Sequence, residues 1–216
     1  MHGVGKPPLL RGLVLAGGRS QRMGHDKAAI LIDDATLLER TVALLDGWVA
    51  SVSVSVRSDQ ANDRLRRQYP LLLDTGAGLG PANGLRAAHL SDPAAAWLVL
   101  ACDMPGLDRQ AISALVAARD PVRAATSWRS PVDGLPEPLC AIWEPATLAR
   151  LASLVAAAGR PVSPRALLAE SDTLLLDAPR PAALLNLNTP AELDRYRKER
   201  HGHQPQEKPD DAQAQP

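Results

Sequence analysis

The chain has 216 residues, with 24 Lys plus Arg against 24 Asp plus Glu, so its formal net charge is zero. That balance excludes a global basic field for nucleic acid or an anionic membrane, and any attraction for anions has to be local. The length suits one α/β domain, able to bury about 70% of the surface its unfolded chain exposes. Two cysteines, Cys102 and Cys140, sit in apolar runs outside any C-x-x-C or His-rich pattern. They argue against zinc and for a reduced, cytoplasmic chain. The N-terminal M-H-G-V-G-K-P-P lacks the apolar stretch of a signal peptide, and no 18-residue apolar run exists; neither a leader nor a membrane span is expected. With no Phe at all, the core is expected to rest on Leu, Val and Ala.

Residues 1–8 carry Gly and Pro without periodicity and read as a disordered lead. Arg11 to Leu15 predicts a first strand. Ala28 to Ile32 is short and apolar and is expected to extend or edge the sheet. Thr36 to Asp46 has helical spacing and stops at Gly47. Ser51 to Val56 alternates Ser and Val, a strand with one apolar face. Asp59 to Gln68 predicts a polar helix, and Leu71 to Leu73 a short strand ending at Asp74. The glycine-rich segment from Asp74 to Leu85 is a shaped loop leading into a helix from Ala82 to His89. Trp97 to Ala101 is continuously apolar, the mark of a strand buried on both faces.

Asp108 to Arg119 predicts an amphipathic helix with Ile112, Leu115 and Val116 on one side. Pro121 to Thr126 and Leu139 to Trp143 predict strands. A helix follows from Pro145 to Ala158. Ser163-Pro164 then opens a short helix through Ala169, with Ser at the N-cap and Pro at the first helical position. Leu174 to Leu176 and Ala183 to Leu187 predict short strands. Thr189-Pro190-Ala191-Glu192 is a capping box that starts a helix running to about Arg200. The Pro/Gln-rich tail from His201 to Pro216 is expected to be disordered. Strands alternating with helices imply βαβ units: a three-layer α/β sandwich around a mostly parallel, Rossmann-like sheet, in a single domain over residues 9–200.

In such sheets ligands sit at the carboxyl ends of strands, and three candidate segments sit there. The first is Leu13 to Lys27, L-V-L-A-G-G-R-S-Q-R-M-G-H-D-K. A strand runs into Ala16-Gly17-Gly18, whose backbone N–H groups can meet phosphate, and Arg19, Arg22 and Lys27 add positive charge. The segment matches neither the G-x-x-x-x-G-K-[ST] loop nor the G-x-G-x-x-G fingerprint. The second is Asp74 with the loop through Gly80-Pro81. The third is Cys102-Asp103-Met104-Pro105, where a carboxylate directly after a buried strand suits Mg²⁺ shared with phosphate oxygens. None of the five histidines lies in a Ser-His-Asp or Cys-His pattern.

The stretch L-A-G-G-R-S-x-R-M-G-x-D-K-A resembles the signature of the molybdenum cofactor guanylyltransferases, within the nucleotide-diphospho-sugar transferase type of fold. Three later segments extend the resemblance over roughly residues 10–198. C-D-M-P matches the family's C-D-x-P. The segment at Asp74 and Gly80-Pro81 resembles D-x-x-x-x-x-G-P-L-x-G, with Ala82 where Leu is usual. Asn186 to Leu193 is similar to N-x-N-T-P-E-E-L.

The resemblance implies transfer of GMP from GTP to the phosphate of Mo-molybdopterin, with release of pyrophosphate. It implies nucleotide contacts from Leu15, Ala16, Gly17, Gly18, Lys27, Ser55, Asp74, Gly80, Pro81 and Asp103, and catalytic roles for Arg19, Arg22, Lys27 and Asp103. Asp103 would carry Mg²⁺. Asn186 and Asn188, on one face of a strand end, would border the pterin, and Glu137-Pro138-Leu139 resembles a segment near the pterin pocket. Where the family has an Asn at the end of the second strand, the matching place in this chain falls at Ser55 or one position either side, with Arg57 next, and no Asn occupies it.

Arg129, Arg160 and Arg165 are candidates for the acceptor phosphate, or plain surface charges. Three other readings stay open: a cytidylyl- or sugar-phosphate nucleotidyltransferase, a non-catalytic nucleotide-binding module, and a pterin carrier. Expected partners are GTP, Mo-molybdopterin and cofactor-recipient molybdoenzymes or their chaperones. A monomer is expected, with neither nucleic acid nor membrane as partner.

Overall fold

The structure, a computed structural model, describes residues 6–18, 23–74, 80–157, 161–178 and 180–201. Strand β1 (Leu10–Leu15) leads into a single 3-10 turn at Lys27–Ala29 and a small hairpin of β2 (Leu31–Ile32) and β3 (Ala35–Thr36). Helix α1 (Leu37–Leu45) follows, then β4 (Val52–Val56), β5 (Leu71–Leu73), α2 (Pro81–Ser91) and β6 (Ala96–Ala101). The second half runs α3 (Arg109–Ala117), β7 (Ala125–Arg129), β8 (Pro136–Trp143), α4 (Pro145–Ala157), α5 (Pro164–Ala169), β9 (Thr173–Leu176) and α6 (Pro190–His201).

Seven strands form one sheet in the order β5-β4-β1-β6-β8-β7-β9. β8 alone runs against its neighbours β6 and β7; every other pairing is parallel. Alternation along the strands sorts side chains onto two faces. On one face Val14, Val54, Leu98, Leu100 and Ile142 meet Leu38 and Leu45 of α1 and Ile112 and Leu115 of α3. On the other, Leu13, Trp97, Val99 and Trp143 meet Leu85 of α2, Leu148 and Leu151 of α4 and Leu168 of α5. The three-layer sandwich is therefore as predicted. β6 is buried at every position, which explains why its sequence does not alternate. The core does not rest on Leu, Val and Ala alone: Trp97, Trp128 and Trp143 are fully buried and supply the bulk that Phe would otherwise give.

A third small cluster joins the C-terminal helix to the signature segment. Met23, Ile30, Ile32 and Leu37 pack against Leu187 and Leu193. This contact carries the chain's last helix back to the site end of the sheet.

Four local expectations are corrected. Residues 28–32 do not edge the main sheet; β2 pairs only with β3, antiparallel, in a sheet of their own. Asp59 to Gln68 is not one helix but two short 3-10 turns, Ser58–Gln60 and Arg66–Gln68. The seventh strand begins at Ala125, not Pro121, because residues 121–124 form a turn closed by Arg123 N–H donating to the Asp120 carbonyl at 3.1 Å. Ala183 to Leu187 is not a strand; Pro181–Leu184 is a 3-10 turn.

The two capped starts occur as predicted: Ser163 Oγ accepts from Ala166 N–H at 3.2 Å, and Thr189 Oγ1 accepts from Glu192 N–H at 3.3 Å. Of the expected disordered lead, residues 1–5 lie outside the described residues, and the Pro8 carbonyl accepts a hydrogen bond from Arg119 at 3.0 Å. The expected tail beyond His201 lies outside them too.

Candidate active site

The carboxyl ends of β1, β4, β5 and β6 lie side by side, so the residues that follow each strand converge. Across β1 and β4, Leu15 is in register with Ser55. Across β4 and β5, Ser55 faces Leu72, and Asp74 N–H continues the ladder to the Val56 carbonyl at 2.8 Å. Ser55 is buried and donates from Oγ to Asp74 Oδ1 at 2.5 Å. Burial pushes the Asp74 carboxyl above its ordinary range, against the pull of the Ser55 hydrogen bond and the Arg57 charge. Gly84 makes this packing possible: a Cβ there would lie 2.4 Å from Ser55 Oγ and 2.6 Å from Leu15 Cδ2. A Cβ on Gly17 would lie 3.0 Å from Asp74 Oδ2, which places the glycine turn directly beside that carboxylate. Gly80 precedes α2, and Pro81 is its first residue.

On the other side of β1, Asp103 follows β6. Its Oδ2 accepts from Lys27 Nζ at 2.9 Å, and the same ammonium donates to Asn188 Oδ1 at 2.9 Å. The Asp103 carbonyl accepts from Leu187 N–H at 2.8 Å, which holds the C-terminal segment in place. Glu192 fixes the backbone of Asn188 and Thr189 by accepting both N–H groups at 2.6 and 2.9 Å. Three segments far apart in sequence thus meet at one cation. Asn186 is exposed and on no strand, Asn188 is partly buried, and the buried Leu187 lies between them.

Two oxygens, from Asp103 and Asn188, converge on the Lys27 ammonium. Hard oxygen donors of this kind fit Mg²⁺, which takes one or two protein ligands and completes its shell with water and phosphate oxygens. Among the described residues no group of three or more His, Cys, Asp or Glu is arranged for a metal, so the site lacks an all-protein cage. Cys102, adjacent to Asp103, is a buried free thiol pushed up to about 12 by burial and the Asp103 charge; it is no nucleophile at neutral pH.

Arg19 and Arg22, the segment 75–79 and Arg160 lie outside the described residues. Arg129 pairs with Asp177 at 2.9 Å. Arg165 bridges Asp133 at 2.7 Å and the buried Glu137 at 3.0 Å. Glu137 is pushed up by burial; Arg165 opposes this, and the charge of Asp103 adds to it. Continuing the β6–β8 register from Leu100 opposite Cys140 brings residue 103 opposite residue 137. Two arginines near the glycine turn were not read as part of the site. Arg57 donates from Nη1 to the Gly17 carbonyl. Arg66, 1% exposed, donates to the Ala16 carbonyl and the Asp26 carboxylate. Their only sequence signal is position: one directly after β4, the other in a polar stretch.

A doubly wound sheet with a glycine turn, a lysine and a carboxylate at its strand ends is an arrangement suited to nucleotide phosphates, and the chain is a nucleotidyltransferase by family. Residues 12–174 match the family described as MobA-like NTP transferase domain, and the chain belongs to that family. It is 37% identical over 190 residues to a probable molybdenum cofactor guanylyltransferase of Mycobacterium marinum, covering 85% of this chain and 91% of that protein. It is 34% identical over 145 residues to a molybdenum cofactor biosynthesis bifunctional protein of Synechocystis, covering 67% of this chain but only 42% of that longer protein. A solved structure, molybdopterin-guanine dinucleotide biosynthesis protein A of Archaeoglobus fulgidus, shares the fold at a TM-score of 0.70 and 19% identity, over 89% of this chain and 99% of that one. A 4-diphosphocytidyl-2C-methyl-D-erythritol synthase shares it at 0.64 and 15%, over 89% and 99%. No helix among the described residues is long and apolar enough to cross a membrane.

Proposed function

We propose that the protein transfers GMP from GTP to the terminal phosphate of Mo-molybdopterin and releases pyrophosphate. The single observation that carries this reading is the meeting of Lys27, Asp103 and Asn188 beside the glycine turn, in a chain similar over 190 residues to a probable guanylyltransferase.

The proposed step is an in-line displacement. An oxygen of the acceptor phosphate forms a bond to the α-phosphorus, and the bond to the pyrophosphate oxygen breaks. Such a reaction needs positioning and charge stabilisation rather than a covalent enzyme intermediate. Leu15, Ala16, Gly17 and Gly18 are assigned to the nucleotide, with backbone N–H groups toward its phosphates. Lys27 is assigned to phosphate charge, joined by Arg19 and Arg22. Asp103 and Asn188 would hold Mg²⁺, whose bound charge would neutralise the phosphates. Asp74, held by Ser55, offers one carboxylate oxygen to base N–H donors; guanine presents such donors in a row. Gly80 and Pro81, at the start of α2, are assigned to the nucleotide as well, and Asn186 to the pterin.

A second reading is favoured by one observation. Ser55 stands where the family usually has Asn, and its hydroxyl is already committed to Asp74. A pyrimidine nucleotide therefore remains the competitor. The test is pyrophosphate release by purified protein with Mg²⁺, each nucleoside triphosphate, and molybdopterin. Release that requires both GTP and molybdopterin supports the proposal. Release with CTP in place of GTP overturns the guanylyl assignment.

A further inference from the structure

One buried side chain staples both ends of the signature loop. Arg66 Nε and Nη2 donate to the Ala16 carbonyl at 3.2 and 2.9 Å. Its Nη1 and Nη2 donate to the two oxygens of Asp26 at 2.6 and 2.8 Å. Asp63 accepts from Arg66 Nη1 at 3.2 Å and from its backbone N–H at 3.0 Å. Asp26 in turn accepts from Ala28 N–H at 3.1 Å and so begins the turn that carries Lys27. The guanidinium is 1% exposed. A charge so buried is tolerable only with its donors satisfied in good geometry. A planar fork can span a carbonyl on one side and a carboxylate on the other; a lysine ammonium cannot.

The consequence reaches the ligand side of the loop. In a trans peptide the N–H of one residue points opposite to the preceding carbonyl. With the Ala16 carbonyl turned to Arg66, the Gly17 N–H is sent the other way. Arg57 does the same for the next peptide by taking the Gly17 carbonyl, which orients the Gly18 N–H. Arg66 also fixes Asp26, the residue immediately before Lys27. The orientation of the Gly17 amide and the origin of the lysine side chain therefore depend on one guanidinium, 40 residues from Asp26 and 50 from Ala16.

We propose that Arg66, with Asp26 as its partner, is the positioning residue of the phosphate loop, setting the Gly17 amide and Lys27 in one frame before the nucleotide arrives. This rests on the reading of Gly17, Gly18 and Lys27 as the phosphate site. A mere fold staple would change melting temperature alone. A positioning residue changes nucleotide affinity in protein that is still folded.

The experiment uses the full chain with Arg66→Lys, Asp26→Asn and the double variant. Far-UV circular dichroism establishes folding, and calorimetric titration with Mg²⁺ and GTP reads affinity. Arg66→Lys is expected to weaken GTP binding by about tenfold or more, because charge-assisted bidentate geometry is lost. The KM for GTP is expected to rise while the KM for the acceptor stays unchanged. The double variant is expected to be no worse than Arg66→Lys alone, since that change already removes the fork that grips Asp26. Unchanged GTP affinity in a folded Arg66→Lys protein, with normal binding by the wild type, overturns the proposal and leaves the functional reading standing. So does unfolding of both single variants, which makes the pair structural. Absence of GTP binding by the wild type overturns the functional reading and this proposal with it.

Discussion

Replacing Lys27 by Ala removes the cation on which three segments converge. Its Nζ lies 2.9 Å from Asp103 Oδ2 and 2.9 Å from Asn188 Oδ1. The two charged side chains are 16% and 22% exposed, so solvent screens them less than a surface pair. A hydrogen bond to a charged group contributes about 1.5–3 kcal/mol. If the ammonium serves phosphate in the transition state as it serves Asp103 in the free protein, its loss slows transfer by about ten- to a hundredfold. The fold should survive, because Asp103 keeps a share of water. A coupled pyrophosphate assay at saturating GTP reads the rate, and thermal unfolding checks the fold.

A second readout needs no turnover. Lys27 occupies the oxygens proposed for the metal, so Lys27→Ala is expected to bind Mn²⁺ more tightly than wild type in the absence of nucleotide, as followed by electron paramagnetic resonance. Near-normal transfer together with unchanged Mn²⁺ affinity would refute the reasoning and remove Lys27 from the site.

Three further outcomes are expected. Asp74→Asn should weaken nucleotide binding in calorimetric titration. Burial raises the carboxyl's pKa in the fold above its unfolded value, so protonation favours folding at low pH, that contribution is lost as pH rises through the folded pKa, and the ionised form opposes folding above it. The amide should therefore leave the melting temperature at pH 7 equal or higher; a clear fall would mean that Asp74 is structural. Gly84→Ala would drive a Cβ to 2.4 Å from Ser55 Oγ and should destabilise by about 1–3 kcal/mol, a typical cost of overpacking; denaturant unfolding with no change would show that α2 shifts freely. Asp26 is raised by burial, but the Arg66 hydrogen bond and charge outweigh this and leave it below its ordinary 3.8. A depressed folded value contributes stability above the unfolded pKa and loses it as pH falls through the folded one. Wild type should therefore lose more stability than Asp26→Asn on acidification below about pH 4; parallel acid-unfolding curves for the two proteins would contradict this.

What could be read from the sequence was what depends on near neighbours. The run Trp97 to Ala101 is a buried strand because every side chain is apolar. Ser163-Pro164 and Thr189 with Glu192 start helices because caps act over three residues. The glycine turn, Asp74 and Asp103 are expected at strand ends by the fold rule, and the structure sets Asp74 beside Gly17 and Asp103 against Lys27. Arg66 was invisible for the opposite reason: its partners Ala16 and Asp26 lie 50 and 40 residues away, and its own segment reads as a generic polar helix. The strand expected over Ala183 to Leu187 failed because apolar composition alone suggested it, where Pro181–Leu184 takes a 3-10 turn. The start of β7 was misplaced because propensity cannot see the turn closed by Asp120 and Arg123. Trp97 and Trp143 fall in predicted strands, but Trp128 lies beyond the expected end of its strand at Thr126, so its place in the core had no local signal.

The most direct test of the central claim is calorimetric titration of the protein, with Mg²⁺ present, against GTP, CTP and ATP. Tighter binding of GTP than of either competitor is predicted, with Asp74 and its Ser55 partner selecting the base. Equal binding of all three, or preference for CTP, would contradict the guanylyl reading and show that Asp74 with Ser55 does not select guanine.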